Sequence, residues 1–360
     1  MAKSGWFRLA LSLACLCLAL RGGAHAAAPG GDLQRALGEL SARWDAGQVP
    51  TGALSVVAGG QTRTMRLGKQ EAGVFELASC SKAFTGLLIA ELEREGALSR
   101  DDALTRWVPE LARRPSSGYA AVRLKNLLFH TSGIAEDTLD LLRPDGGPQA
   151  LERLPALLQD VPLAYPVGSK EEYATLNYSL LGLVAERASG KPFAVLLREK
   201  IFLPLGMRHT FVEGDPAAPA GLARIPGYKV GFTAARPYQA PRYLQNAPAG
   251  YVLSTPEDMA AWLRFLLQRE AKPDADASQA ALYAALQQAK RPYGGGGDAG
   301  YAYGWDVEAG KTSSWSHPGQ NPNAGAYVAF DPAAGVGVVM LGNSNSPQVI
   351  QLGRSVFQHL

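Results

Sequence analysis

The spacing of hydrophobic positions changes along the 360-residue chain. Residues 51–70 consist of two short apolar-rich runs on either side of Gly59 and Gly60, a pattern typical of a strand hairpin. Residues 303–309, 313–317, 324–332 and 335–343 return to this strand character, and residues 348–360 predict a final helix. Between these two ends, residues 79 to about 290 carry helical patterns and long loops.

Helical spacing also precedes the first hairpin. Leu33, Leu37 and Leu40 share one face of a helix predicted over residues 32–47, and residues 294–297 form a glycine run that predicts a flexible loop. Strands at both ends of the chain around a helical middle predict an α+β fold with one antiparallel sheet. We expect the sheet to come from residues of about 27–78 and 290–360, with helices on its faces and a mostly helical region, about 79–289, inserted.

The first 26 residues have the pattern of an export signal. Lys3 and Arg8 flank the start of an apolar stretch at residues 9–20, and Ala24 and Ala26 place small residues where a signal is cleaved. The stretch is too short to span a bilayer comfortably, and no later segment approaches about 18 apolar residues. The sequence therefore predicts a signal peptide at 1–26 and a single domain at 27–360, periplasmic or secreted, with no stable membrane span.

Removal of that signal changes the charge and the cysteine count. Loss of Lys3, Arg8 and Arg21 leaves 32 basic residues against 32 acidic ones. A formally neutral chain has no electrostatic footprint for nucleic acid. Cys80 is then the one remaining cysteine, so no internal disulfide is expected.

The stretch FELASCSKAFTGLLIAEL, residues 75–92, places a charged residue at the head of an apolar run. Ser79 and Lys82 are three residues apart, which puts both side chains on the same face of a helix. The following residues are apolar nearly all round, so this helix is expected to be buried. Burial of an ammonium favours its neutral form, and a neutral amine beside a serine can act as its base. The S-x-x-K spacing arises by chance about once in a chain of this size, so it does not decide the function alone.

Six segments in order along the chain carry a wider resemblance. They are SKAFTGLLIAELEREGALSRDDALTRWVPEL, LKNLLFHTSGI, YATLNYSLLGLVAERASGKPF, IFLPLGMRHTFV, AGYVLSTPEDMAAWL and SHPGQNPNAGAYVAFDP. Together they resemble the serine beta-lactamase-like family, which includes class C beta-lactamases, penicillin-binding carboxypeptidases, D-aminopeptidases and esterases. The resemblance implies a beta-lactamase/transpeptidase-like fold, with Ser79 as the acylated nucleophile and Lys82 as its partner.

The family's second motif, Tyr-x-Asn, is altered in this chain. By the resemblance, Tyr173 matches the tyrosine that passes a proton between the serine and the leaving group. Thr175 stands where the family has asparagine, so a hydroxyl replaces a carboxamide. We expect a hydrogen bond to Lys82 or to a substrate amide to be weaker or missing as a result.

The third motif matches His317, Pro318 and Gly319. Beta-lactamases of the family have lysine at the first of these positions, whereas its esterases and D-aminopeptidases often have histidine. The resemblance places the motif on the strand that lines the active site, where the backbone amides of Gln320 and Ser79 would form an oxyanion hole. Gly319 is expected to let the backbone approach the substrate closely.

Other types of site have little support in the sequence. His130 is expected to hold a turn with Thr131, Ser132 and Gly133, and His209 and His359 lack partners at ligand spacing, so no metal site is predicted. No phosphate-binding loop follows the glycines at 294–297. We therefore expect no cofactor.

Together these features predict a serine hydrolase that cleaves amide or ester bonds through an acyl-enzyme at Ser79. Its partner would be a small-molecule or peptide substrate. Two alternatives remain open at this stage: a peptide acyl transferase or cyclase, and a catalytically weak penicillin-recognising binding protein, which the threonine at 175 favours. The sequence gives neither the physiological substrate nor the oligomeric state.

Overall fold

The computed structural model describes residues 47–69, 71–270, 275–289, 300–308 and 314–360, together with Gly38, Leu40, Arg43 and Trp44. The predicted signal segment 1–26 and the glycine run at 294–297 lie outside the described residues. Of the helix predicted over 32–47, five positions are described; four of them are helical, and Gly47 is in a turn.

The described strands number twelve. They are β1 (Thr51–Ala58), β2 (Gln61–Gly68), β3 (Phe75–Glu76), β4 (Phe211–Val212), β5 (Tyr228–Lys229), β6 (Arg236–Pro237), β7 (Val252–Ser254), β8 (Gly300–Ala302), β9 (Trp305–Glu308), β10 (Ser314–Asn321), β11 (Ala324–Asp331) and β12 (Val336–Gly342).

The helices of the described residues lie mainly between β3 and β8. The α-helices are α1 (Lys82–Arg94), α2 (Leu104–Trp107), α3 (Leu124–Leu128), α4 (Leu154–Leu158), α5 (Thr175–Ser189), α6 (Phe193–Leu197), α7 (Ala247–Gly250), α8 (Pro256–Leu266), α9 (Ala277–Ala289) and α10 (Gln348–Phe357). Short 3₁₀ helices cover Ala78–Ser81, Pro109–Ala112, Pro115–Ser117, Tyr119–Ala121, Glu136–Leu141, Leu151–Arg153 and Leu244–Asn246, and a π-helix covers Arg198–Phe202.

Seven strands form one antiparallel sheet in the order β2-β1-β12-β11-β10-β9-β8. The N-terminal hairpin therefore pairs directly with the last strand of the chain, with Leu54 opposite Met340. This arrangement confirms the predicted α+β class and the sheet built from both ends of the chain. The hairpin around Gly59 and Gly60 and the final helix are confirmed as well.

Both faces of this sheet are covered, because its strands carry apolar residues on alternate sides. On one face, Leu54, Val338 and Met340 pack with Leu40, Trp44 and the apolar side of α10. On the other face, Ala53, Val339 and Leu341 join the larger core that contains α1, α5 and α8. The apolar α1 is buried from Lys82 to Leu92, as its composition predicts.

The middle of the chain is less purely helical than predicted. Strands β3, β7 and β4 form a small sheet of their own, and β5 pairs with β6. These strands are two or three residues long, too short for a period of two to be visible in the sequence. The strand β8, at the edge of the main sheet, was also not predicted, and it pairs with β9 through Tyr301 and Asp306.

Candidate active site

Ser79 lies on the 3₁₀ helix Ala78–Ser81, and α1 begins at Lys82. The sequence predicted a regular helix through both residues, and the tighter turn is the difference. The preceding Ala78 is fully buried and has a φ of 46°, a left-handed conformation that is uncommon for a residue with a Cβ. Such strain is retained where the surrounding structure imposes it, and here it sets the position of the partly exposed Ser79.

Lys82 is the polar centre of the site. Its side chain has no exposed surface, and Nζ lies 3.0 Å from Ser79 Oγ and 3.1 Å from the carbonyl oxygen of Ala249. Ala249 belongs to α7, which the Thr85 hydroxyl also holds by donating to Pro248 O. A carbonyl oxygen only accepts, so Lys82 donates one N–H to Ala249 O. The contact with Ser79 Oγ uses another position on the same nitrogen.

Tyr173 borders the same amine. Its ring centroid lies 5.0 Å from Lys82 Nζ and 6.1 Å from the ring of His317. None of the described residues forms a hydrogen bond with the Tyr173 hydroxyl. The phenol is therefore free to bond to a group that enters the site.

His317 is buried on β10, and both of its ring nitrogens are occupied. Nδ1 lies 2.6 Å from Pro318 O, and since a carbonyl cannot donate, Nδ1 carries the proton. Nε2 lies 3.0 Å from the hydroxyl of Tyr301 and accepts from it. Burial, with the Lys82 ammonium nearby, lowers the pKa of His317 to about 3, so the ring is neutral at pH 7.

Gly319 permits β10 to pack against the turn that carries Ser79. A Cβ at this position would lie 2.5 Å from Leu77 O and 3.2 Å from Cys80 N. Cys80 fixes the same contact, because its buried thiol donates to His317 O over 3.2 Å. The structure thus shows a close approach of Gly319 to the turn that carries Ser79, and the predicted approach to a substrate stays a prediction.

The register of β10 decides where the amide of Gln320 points. β9 pairs with β10 only as far as Ser316, so the edge beyond it is open. Pro318 has no N–H, which suits a residue whose nitrogen faces an open edge, and Gln320, two residues on, faces the same way. The side chain of Gln320 is exposed and donates to Asn345 O over 2.6 Å. The pairing of its backbone N–H with that of Ser79 as an oxyanion hole stays a prediction.

The Thr175 hydroxyl bonds to Glu136 and not to Lys82, so the hydrogen bond that was expected to be weaker or missing is absent among the described residues. The backbone N–H and the hydroxyl of Thr175 both donate to the carboxylate of Glu136, over 2.5 and 2.8 Å. The amine of Lys82 has Ala249 O as its second partner. The contacts of the described residues thus bring together Ser79, Lys82, Tyr173, His317 and Gly319, and the Thr175 hydroxyl is bonded to Glu136 outside this group.

Two residues of the site had no signal of their own in the sequence. His130 has a φ of 53°, and its Nδ1 accepts from the Ala174 amide and from Asn177 Nδ2, over 3.1 and 2.9 Å. Its ring packs on Tyr173 with centroids 4.5 Å apart, so it supports Tyr173 as well as the predicted turn. Tyr301, the partner of His317, lies on the unpredicted strand β8.

A network of charges flanks the end of β10. Asn321 and Arg224 both donate to Glu76, and Arg224 also bonds to Glu213 over 2.7 Å. Burial raises the pKa of Glu76, which these donors oppose. Asn321 also donates to Gly250 O over 3.1 Å, which ties β10 to α7 and thereby to the acceptor of Lys82.

No metal-binding group of three or more His, Cys, Asp and Glu side chains occurs among the residues described. In the same part of the chain, no helix has the length and apolar character needed to cross a membrane.

The fold resembles solved structures of class C beta-lactamases. A class C beta-lactamase mutant and a class C beta-lactamase each give a TM-score of 0.76, at 21% and 20% identity, with 93% of this chain and 99% and 98% of theirs covered. A family model described as Beta-lactamase matches residues 37–359. The chain therefore belongs to the beta-lactamase family and has its serine hydrolase-type fold.

Curated relatives give the same family. The Beta-lactamase of Escherichia coli strain K12 is 29% identical over 306 residues, which cover 76% of this chain and 76% of the relative. Protein flp of Staphylococcus aureus strain MW2 is 26% identical over 278 residues, 77% of this chain. The chain spans about half of that longer protein, 54% of its length.

Proposed function

We propose that this chain is a serine acyl hydrolase that cleaves amide or ester bonds through an acyl-enzyme at Ser79. The observation that carries the proposal is the position of Lys82, whose buried Nζ lies 3.0 Å from Ser79 Oγ and is held by Ala249 O. The amine acts as a base in its deprotonated form, which keeps two N–H groups and one lone pair. It can donate to Ala249 O while its lone pair takes the Ser79 proton, as general-base catalysis requires.

The reaction then runs in two halves. Ser79 Oγ attacks the carbonyl carbon of the substrate, and the oxyanion that forms accepts from the backbone amides of Ser79 and Gln320. The bond to the leaving group breaks, and the Tyr173 hydroxyl, which has no partner among the described residues, relays the proton to that group. Water next attacks the acyl-enzyme, releases the acid and restores the Ser79 hydroxyl.

His317 supports a preference for uncharged acyl donors over beta-lactams. A lysine at this position would offer a permanent positive charge to the carboxylate of a beta-lactam. The buried His317 ring offers none, since its pKa is lowered to about 3 and both nitrogens are already bonded. Esters and amino-acid amides carry no such carboxylate, so they do not need a positive charge at the position of His317.

The direct test is labelling by a fluorescent phosphonate followed by intact mass. Stoichiometric modification at Ser79 together with steady release of nitrophenol from a nitrophenyl ester would support the hydrolase. Absence of labelling would instead favour the catalytically weak binding protein, and the displaced Thr175 hydroxyl is the observation that keeps this second candidate in view. Addition of a D-amino-acid amide as acceptor shows transfer rather than hydrolysis if a new amide forms.

Export is part of the same proposal. The basic and apolar pattern of residues 1–26 supports cleavage after Ala26 and release to the periplasm or medium. Fractionation of expressing cells, with N-terminal sequencing of the product, tests it. A product that keeps Met1 and stays in the cytoplasm would contradict it.

A further inference from the structure

The carboxylate of Glu136 lies at the start of α5, two residues along the chain from Tyr173, whose ring centroid is 5.0 Å from Lys82 Nζ. It accepts the backbone N–H of Thr175 over 2.5 Å and the Thr175 hydroxyl over 2.8 Å. Thr175 follows Tyr173 by two residues and is the first residue of α5. At the position of the family's carboxamide, this chain thus has a hydroxyl that is bonded to a carboxylate.

The loop that carries Glu136 runs alongside the segment that carries Tyr173. Glu172 N donates to His130 O over 2.8 Å, and Ala174 N donates to His130 Nδ1 over 3.1 Å. The two hydrogen bonds from Thr175 to Glu136 continue this series. Because Tyr173 sits between these contacts and packs on His130, Glu136 is fixed relative to the catalytic tyrosine.

The charge of Glu136 is not paired. No lysine, arginine or histidine among the described residues forms an ion pair with it, whereas the neighbouring carboxylates Glu76 and Glu213 are both paired with Arg224. Glu136 is also half-buried rather than enclosed. A carboxylate offers about four acceptor positions, and the two donors of Thr175 occupy two of them.

Neither Lys82 nor His317 offers a free positive charge to a substrate. Lys82 is fully buried and already bonded to Ser79 and Ala249, and His317 is neutral. The carboxylate of Glu136, by contrast, is a charged group without an ion-pair partner among the described residues. An ammonium group, which has three donors and no acceptor, complements a carboxylate that can only accept.

We infer that Glu136 forms a subsite for a positively charged amino group on the acyl part of the substrate. The preferred substrates are then esters or amides of amino acids whose α-amino group is free. This inference rests on the proposed acyl hydrolase function and selects within it between uncharged acyl groups and aminoacyl groups.

A purely structural role for Glu136 predicts something different. A carboxylate at the N-terminus of α5 also stabilises the helix through the unpaired amides and the helix dipole. Loss of that cap would lower the free energy of unfolding and reduce kcat/KM for every substrate by a similar factor. Loss of an ammonium subsite would slow only substrates that carry the amine.

The test compares two substrates that differ by one group. Alanine para-nitroanilide, in both D and L forms, carries an ammonium, and propionic acid para-nitroanilide has hydrogen in its place. For the full-length mature protein, we expect kcat/KM to be higher for one alanine form than for the propionyl compound by about tenfold or more, the size expected of a partly exposed charge-assisted contact. In Glu136→Gln the ratio should fall to near one.

Two control variants separate charge recognition from helix capping. Asp137→Asn removes an exposed negative charge from the same 3₁₀ helix, and Thr175→Val weakens the cap without removing the Glu136 charge. Both should keep the wild-type ratio of the two substrates, even if Thr175→Val slows both. Thermal melting confirms that each variant is folded under the assay conditions.

The outcomes are distinguishable. An unchanged substrate ratio in Glu136→Gln overturns the inference and leaves the hydrolase intact. So does a wild-type protein that Ser79-directed phosphonate labels and that hydrolyses the propionyl compound as fast as the alanine compounds. A failure of phosphonate to label Ser79 overturns the proposed function itself, and the inference falls with it.

Discussion

The hydroxyl of Tyr301 lies 3.0 Å from Nε2 of His317 and donates to it, while the other ring nitrogen, Nδ1, donates to Pro318 O. Burial raises the pKa of Tyr301 well above its ordinary value, so this hydroxyl keeps its proton at neutral pH. Two neighbours therefore fix His317 in a single neutral tautomer. The side of the site that His317 forms, 6.1 Å from the ring of Tyr173, therefore receives no charge from this residue.

Substitution of Tyr301 by Phe should make His317 easier to protonate. The lost hydrogen bond stabilises the neutral ring, so its removal raises the pKa of His317 from about 3 toward the ordinary value of about 6.5. The measurement is an NMR titration of the ring nitrogens, in which wild-type Nε2 keeps the shift of an unprotonated nitrogen from pH 7 down to about pH 4. An identical titration in Tyr301→Phe would show that burial alone sets the charge.

The proposed function makes Ser79 the nucleophile and Lys82 its base. Ser79→Ala should abolish both turnover and phosphonate labelling, because the covalent step has no other acceptor. Lys82→Met, close in volume and without the amine, should slow acylation by about 10² to 10⁴-fold, the usual contribution of a positioned base. Pre-steady-state release of nitrophenol measures the acylation rate, and a melting curve shows whether Met is accommodated at this fully buried position. Undiminished activity in Ser79→Ala contradicts the whole assignment.

The sequence predicted those features whose cause is local. The S-x-x-K spacing and the apolar surroundings of α1 place Ser79 and Lys82 together without any distant contact. The strands near both ends were visible because alternating residues face opposite sides of a covered sheet. Pairing of these two ends followed from the resemblance and from the need to bury both sets of apolar residues.

What the sequence did not predict depends on contacts between distant residues. A weaker or missing bond from Thr175 to Lys82 was expected, but the partner that the Thr175 hydroxyl has instead, Glu136, is 39 residues away along the chain. Tyr301 and His130 have no motif that sets them apart from other tyrosines and histidines. Their roles arise because β8 and the turn after α3 converge on the ring of His317 and on Tyr173.

Gly319→Ala tests the close approach of β10 to the Ser79 turn. The added Cβ would lie 2.5 Å from Leu77 O, so the strand must move and carry the Gln320 amide with it. Loss of one oxyanion donor typically lowers kcat by about 10² to 10³-fold. We expect that decrease with little change in KM for a nitrophenyl ester. Gly146→Ala, where a Cβ meets nothing closer than 3.8 Å, is the matched control and should retain kcat.

Thr175→Val tests the hydrogen bond between the Thr175 hydroxyl and Glu136. Because the hydroxyl bonds to a charged group, its loss should reduce the free energy of unfolding by about 1.5 to 3 kcal/mol, measured by urea denaturation. If the two residues act as a pair, Thr175→Val should reduce the free energy of unfolding by less in the Glu136→Gln background than in the wild type. Wild-type stability in Thr175→Val would mean that the contact with Glu136 contributes nothing measurable.

The uncharged wall at His317 leads to a prediction about beta-lactams. A cephalosporin carries a carboxylate, and the cations nearest Ser79 offer it no partner: Lys82 is enclosed and His317 is neutral, with its pKa lowered to about 3. Transfer of that carboxylate into the site would leave it unpaired, which is costly. We therefore expect a chromogenic cephalosporin to acylate Ser79 slowly at pH 7, with kcat/KM below that of a nitrophenyl ester.

The variant His317→Lys places a positive charge at this position. It should reduce the difference in kcat/KM between the cephalosporin and the ester, and the rate with the ester shows whether the substitution damages the site. A wild-type cephalosporin value within the ordinary enzyme range of about 10⁴ to 10⁸ M⁻¹s⁻¹ and above that of the ester would contradict the prediction, because such a rate requires a partner for the carboxylate.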